Sequence, residues 1–297
     1  MIKGGTVIDG LGTPRYEAGI GIAGRSLLLA LALSALVLVG AGLQPAAAAT
    51  PQRLKPGDLY VSLGSSIASG YGISVQSTSC GRSSRDYGQL VAQHFHLHLV
   101  DASCGAATIP NVLDTPQGSN PPQLTFVTPA TKLVTIAVGG NDINYNLTAV
   151  VCDGATTCAA PPNLADLVAT MRTNLKAMIE KIKVAAPSAR IVFVTYPREV
   201  PAGINCSALG YTDSAAAVVR SMGQMLENAF VQVVKPLGVV FVDPYAVPGD
   251  HTVCAPPSQR WTQGAKAVFG VTGFAHHPTA LGHQVMANMI IKALDGG

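Results

Sequence analysis

The chain has 297 residues, of which 48% are hydrophobic and only 12% charged, and its formal net charge is +3. So apolar and charge-poor a composition excludes a disordered chain. The mild charge, with no run of Lys or Arg longer than a pair, excludes a phosphate-tracking stripe and with it nucleic acid as a partner. Glycine and proline are plentiful (31 and 20) but show no repeat period, which removes collagen and solenoid architectures.

The N-terminal segment reads as a leader. Residues 1–24 resemble the opening strands of amidohydrolases, whose metal sites need paired histidines and further ligands. The overlapping pairs of His94-Phe95-His96-Leu97-His98 are the only His-x-His here and no amidohydrolase pattern surrounds them, so a mis-called start or a fused fragment is the expectation. Arg25 then precedes the apolar run Ser26–Leu43, followed by Gln44-Pro45 and the small residues Ala46–Ala49. A positive charge, an apolar stretch and an Ala-x-Ala site are the parts of a secretory signal, with cleavage expected near Ala49. The run sits at the lower edge of membrane-spanning length, roughly 17–25 residues, and the Ala-rich site favours cleavage over a permanent anchor. The mature protein is therefore expected to be a single domain over 50–297, exported from the cytoplasm.

Within it, short apolar runs bounded by turn residues alternate with helical patterns. Leu59–Leu63, Leu97–Ala102, Leu133–Val138, Ile191–Tyr196 and Val239–Val242 predict five buried strands. Arg85–Phe95, Asn163–Ala185, Asp213–Val234 and Thr279–Leu294 predict helices. The second shows apolar Leu164, Leu167, Val168, Met171, Leu175, Met178 and Ile179 at helical spacing. Strand–helix alternation predicts a parallel sheet covered on both faces, where ligands bind at the carboxyl ends of the strands.

Six cysteines, Cys80, Cys104, Cys152, Cys158, Cys206 and Cys254, all lie in the expected mature chain. An even count in an exported protein suggests three disulfides, with fifteen possible connectivities. The sequential pairing is favoured, with free buried thiols as the alternative. No tight Cys-x-x-Cys pair exists, so structural zinc is not expected. His94, His96 and His98 would share one face at strand period, but no carboxylate or thiol completes a metal site there. Asn146-Leu147-Thr148 and Asn205-Cys206-Ser207 match the glycosylation pattern.

Three loops hold the unusual residues. Gly64-Ser65-Ser66-Ile67-Ala68-Ser69-Gly70 follows the first strand, where small residues let a serine project for nucleophilic attack. Gly139-Gly140-Asn141-Asp142 follows the third strand, and an Asn amide with glycine N–H groups can donate to an oxyanion. His276-His277-Pro278-Thr279-Ala280-Leu281-Gly282-His283 places a histidine before proline at a helix start, available as a base. Each alone has an ordinary reading as a turn, a helix entry or a surface histidine.

In this order the three loops resemble the SGNH hydrolases, also called the GDSL esterase/lipase family, over roughly residues 57–293. The likeness is closest to secreted bacterial members with three disulfides, to which the His251–Cys254 stretch and Arg260-Trp261 are also similar. It implies a three-layer α/β/α sandwich with a five-stranded parallel sheet, flavodoxin-like. It implies an esterase or lipase acting through an acyl-serine intermediate, with Ser66 as nucleophile and His277 as base. The Ser66 backbone N–H, the Gly105 backbone N–H and the Asn141 side chain would form the oxyanion hole, with no metal or organic cofactor. The partner would be a small-molecule or lipid ester, with transient contact to a lipid surface, and the protein a monomer.

Two departures from the family pattern stand out. Gly64-Ser65-Ser66 replaces the usual Gly-Asp-Ser, which leaves Ser65 as a neighbouring hydroxyl. Phe274 occupies the place, three residues before the histidine, where the family often has Asp. A dyad is then expected, with the Phe274 backbone carbonyl orienting the imidazole and Asp243 or Asp250 as fallback partners. Two other readings use the same scaffold. One is a carbohydrate acetylesterase or acyltransferase; the other is a catalytically inactive binding protein.

Overall fold

The computed structural model describes residues 2–7, 16–20, 53–77, 79–203 and 205–296. The chain divides into two compact units, Met1–Pro45 and Ala46–Gly297. In the first, β1 (Ile2–Val7) pairs antiparallel with β2 (Tyr16–Ile20). The apolar run 26–43 and the expected cleavage site lie outside the described residues.

The second unit begins with β3 (Leu59–Gly64), whose residues from Tyr60 onward are buried. A single turn, α1 (Ser66–Ser69), follows, then a two-residue ladder of β4 (Gln76–Ser77) with β5 (Arg82–Ser83). Next come α2 (Tyr87–Phe95), β6 (His98–Asp101), α3 (Ile109–Leu113) and β7 (Thr131–Ala137). The chain continues through α4 (Tyr145–Cys152), α5 (Leu164–Ala185), β8 (Arg190–Val194), α6 (Asp213–Val234), β9 (Val240–Val242) and α7 (Ala280–Asp295).

Five of these strands form one parallel sheet in the order β6-β3-β7-β8-β9. Its inner strands are continuous apolar or small runs because both faces are covered; Leu133, Val134, Thr135, Ile136 and Ala137 are all buried. Parallel neighbours need right-handed crossovers. The chain first moves from β3 to β6, then reverses direction toward β7, β8 and β9. That reversal sends α2 to one face and α5 and α6 to the other. α7 packs against α2, and α5 against α6, which completes the three layers.

Local chemistry sets the helix ends. The Asp86 carboxylate accepts from the Gln89 N–H at 2.9 Å to start α2, and Thr212 and Thr279 hydroxyls cap α6 and α7 in the same way. α2 stops where His96 turns left-handed, and His98 opens β6. His94, His96 and His98 therefore lie on a helix, at a cap and on a strand rather than along one strand face. α3 begins with Ile109-Pro110, proline being suited to the first helical turn.

The three disulfides are Cys80–Cys104, Cys152–Cys158 and Cys206–Cys254, the sequential pairing.

Candidate active site

The order reversal makes a switch point between β3 and β7, and their carboxyl ends deliver the first two loops side by side. Close approach of the two chains requires glycine at Gly64: its φ is +136°, and a Cβ there would sit 2.2 Å from the Ala137 carbonyl oxygen. Gln123 holds both peptides flanking this glycine, its Oε1 accepting from Gly64 N–H at 2.7 Å and its Nε2 donating to Gly64 O at 2.9 Å. Ser66 then stands at the first position of α1, buried, and its backbone N–H has no acceptor among the described residues.

The third loop reaches the same place from the far end of the chain. It is held by a short exchange with residues 261–263. Thr279 N–H donates to Trp261 O, Gln263 N–H to His277 O and His276 N–H to Gln263 O, all at 2.8–3.0 Å. His277 Nε2 lies 2.8 Å from Ser66 Oγ. Its Nδ1 lies 2.8 Å from the Ala275 carbonyl oxygen. A carbonyl can only accept, so Nδ1 carries the proton and Nε2 presents its lone pair to the serine hydroxyl. Burial holds the ring below its ordinary value, down to about 4, despite the Ala275 bond. Ser65 instead turns its hydroxyl toward Ala137 O.

The imidazole is not oriented by the group expected. The Phe274 carbonyl accepts the His277 backbone N–H at 3.2 Å, and the ring proton goes one residue further on, to Ala275. The physical reason is the left-handed conformation of His276 (φ +62°), which turns the preceding carbonyl toward the ring. Asp243 accepts from Thr195 Oγ1 and Ala246 N–H, and Asp250 from Thr252, so neither reaches His277.

The open backbone donor also lies one residue from the expected Gly105. Gly105 N–H already donates to Cys80 O at 2.9 Å, across the Cys80–Cys104 bridge. Ala106, the next residue, adopts φ +64° and its N–H has no acceptor among the described residues. Asn141 Nδ2 donates to Ala107 O at 2.9 Å, which leaves its second amide proton for a ligand. Asp142 accepts from Ile109 N–H with both carboxylate oxygens, at 3.0 and 3.1 Å. Burial pushes that carboxyl up to about 7. These bonds tie the 105–109 loop to the 139–143 loop.

Two further residues on the site were not singled out for it from sequence. Asn146, on the short helix α4, places Nδ2 3.3 Å from His277 Nε2. Glu199, in the loop after β8, is buried against His276. Tyr71 forms one wall, with edge contacts to Phe269 and Phe274 at 5.1 and 5.2 Å. Among the described residues no cluster of three His, Cys, Asp or Glu could hold a metal ion.

A parallel sheet whose switch point brings a buried serine onto an imidazole defines a serine hydrolase. Residues 62–285 match the GDSL-like lipase/acylhydrolase family, and the chain belongs to that family. It is 30% identical to a lipase of Streptomyces rimosus over 84% of this chain and 89% of that protein. It is 27% identical to Lipase 2 of Streptomyces coelicolor over 88% of this chain and 95% of that protein. The crystal structure of the extracellular lipase from Streptomyces rimosus superposes with a TM-score of 0.64 at 24% identity, covering 80% of this chain and all of that one, which shows the shared fold. The protein is a serine ester hydrolase.

Proposed function

We propose that the protein is an exported carboxylesterase or lipase that works through an acyl-Ser66 intermediate. Export is supported by the Arg25, Ser26–Leu43 and Ala46–Ala49 pattern and by three disulfides, which persist in oxidising compartments. His277 Nε2 takes the Ser66 proton as Oγ forms a bond to the ester carbonyl carbon. The carbonyl π electrons move to oxygen, and the Ser66 N–H, the Ala106 N–H and the Asn141 amide receive that charge. The tetrahedral species collapses, the C–O bond to the alcohol breaks, and His277 returns the proton to the leaving oxygen. Water repeats the sequence on the acyl-serine and releases the acid. The Ala275 carbonyl fixes the tautomer but brings no full negative charge, so the imidazolium is stabilised less than in a carboxylate triad.

The observation that supports this most is the 2.8 Å approach of His277 Nε2 to Ser66 Oγ with Nδ1 committed to a carbonyl. An acyl ester of apolar character fits the rim. Val268, Phe269 and Val271 are 54%, 51% and 69% exposed on the loop that leads to Phe274, and Val75 is exposed near the serine loop. Several exposed apolar side chains grouped beside a site suit contact with lipid. The relatives named above are lipases, which favours the same substrate class.

The test is a panel of p-nitrophenyl esters of increasing acyl length run beside acetylated sugars, on wild type and Ser66→Ala. Hydrolysis of the acyl esters, falling by about 10³-fold or more in Ser66→Ala, is expected. Preference for acetylated sugars would move the assignment to a carbohydrate acetylesterase. Full activity in Ser66→Ala would reject the nucleophile.

A further inference from the structure

Beside His276 and Asn146 lies a small cavity with about 10 Å³ for the centre of a water molecule. That is the room one water needs. Its lining includes Asn146, Glu199, Thr262 and His276. Three buried polar atoms of these residues have no hydrogen-bond partner among the described residues: Asn146 Oδ1, Thr262 Oγ1 and His276 Nε2. Unpaired buried polar atoms are rare in folded proteins, and three on one small cavity are the number of partners a buried water takes.

One of the three belongs to a buried histidine–carboxyl pair. His276 is 4% exposed, and its Nδ1–H donates to Glu199 Oε1 at 2.7 Å. Glu199 Oε2 accepts from the Tyr145 hydroxyl of α4 at 3.1 Å, and the Tyr211 hydroxyl lies 3.0 Å from Oε1. Burial works against charge on His276, but Glu199, with Asp153 beyond it, outweighs that and raises the ring above its ordinary value. The titratable groups around the pair and the cavity are Glu199, Tyr145, Tyr196, Tyr211, Asp153 and His277, and His277 is faced in turn by Tyr71 and His283.

We propose that a water in this cavity joins His276 Nε2 and Thr262 Oγ1 to Asn146 Oδ1, so that the Glu199–His276 pair fixes the Asn146 amide with Nδ2 on His277 Nε2. This makes Asn146 a positioning residue of the base, and Glu199, His276 and Thr262 the residues that position Asn146. The inference rests on the Ser66–His277 reading above. An amide N–H facing Nε2 is compatible with a lone pair there and opposes a proton. The resting ring is therefore held neutral, with its Nδ1–H on Ala275 and its Nε2 lone pair toward the serine. Once Nε2 has taken the serine proton, the same amide opposes keeping it and favours transfer to the leaving oxygen. The family's customary carboxylate is missing, and this arrangement fixes the tautomer from the opposite ring nitrogen.

The experiment is kcat and kcat/KM against pH for wild type, Asn146→Ala and Glu199→Gln. Each protein is also titrated with a fluorophosphonate, and its thermal midpoint is measured. One ordinary hydrogen bond corresponds to about 0.7 pH unit and about a five-fold change in rate. Asn146→Ala should move the acid limb of kcat/KM upward by about that much and lower kcat about five-fold with KM little changed. Glu199→Gln, which keeps the side-chain shape, should move the limb in the same direction. If it does not fold, Thr262→Val removes only one partner of the water and should do the same. A role confined to folding would lower the thermal midpoint and leave the limb in place, and that result would overturn the proposal. A limb shift in Asn146→Ala with none in the folded Glu199→Gln or Thr262→Val variant would overturn the relay. Failure of wild type itself to take the fluorophosphonate would overturn the dyad and this proposal together, and is thereby told apart from the other outcomes.

Discussion

Removing the Cys80–Cys104 bridge should separate stability from catalysis in a measurable way. The bridge closes a loop with a sequence separation of 24. Loop-closure entropy for that length gives about 3 kcal/mol of stabilisation. The bridge also holds the Cys80 carbonyl on Gly105 N–H at 2.9 Å, and that bond fixes the peptide next to Ala106, whose open N–H is the oxyanion donor proposed above. A small displacement of such a donor costs about 10²-fold in rate. The double variant Cys80→Ala/Cys104→Ala should therefore lose about 3 kcal/mol in denaturant unfolding. Its kcat should fall about 10²-fold at a temperature where it remains folded. The Cys152–Cys158 bridge, with a separation of 6 at the end of α4, serves as the control. Its removal should cost about 2 kcal/mol without a comparable loss in kcat. If the folded Cys80→Ala/Cys104→Ala enzyme kept wild-type kcat, the link between the bridge and the oxyanion donor would be refuted.

Three further outcomes follow from the site. His277 is held down to about 4 by burial, so the native state binds fewer protons than the unfolded chain between that value and 6.5. Stability then rises with pH across this window and is lost on acidification, by about 3 kcal/mol at pH 4 from this ring alone; unfolding curves at pH 4 and pH 7 measure it, and the acid limb of kcat/KM should lie near 4. Asn141→Ala removes the side-chain donor proposed for the oxyanion and the tie to Ala107, and steady-state kinetics should show kcat lower by about 10²–10³-fold with a smaller change in KM. Phe269→Ser should reduce turnover of esters in micelles or vesicles several-fold while leaving a monomeric short-chain ester unaffected, because Phe269 is half exposed on the rim and packs its ring on Tyr71 and Phe274 rather than on Ser66 or His277.

The sheet could be read from sequence because its strands are buried on both faces and so appear as unbroken apolar runs. All five expected strands overlap those observed, and α5, α6 and α7 start within a residue of the expected positions. The short helices α1, α3 and α4 were not legible, since one or two turns present too few positions for a helical period. The His94–His98 alternation has strand period, yet the helix expected to Phe95 and the strand expected from Leu97 already divide it, as α2 and β6 do. Ser66, Asn141 and His277 could be picked out because each sits in a loop of small or turn-forming residues. Two one-residue displacements, of the carbonyl on the His277 ring from Phe274 to Ala275 and of the open N–H from Gly105 to Ala106, share a cause. Which peptide points at a site depends on backbone dihedrals, here the left-handed His276 and Ala106, and side-chain identity does not report them. Asn146 and Glu199 were beyond reach for another reason. They stand 131 positions from His277 and 77 from His276, and only the fold brings them together.

The central claim is that Ser66 is the group acylated. Mass spectrometry of the protein after reaction with a fluorophosphonate, followed by mapping of the modified peptide, tests it most directly. One adduct per chain, carried by Ser66 and abolished in Ser66→Ala, is the predicted result. An unmodified wild type, or an equal adduct in the folded Ser66→Ala protein, would contradict it.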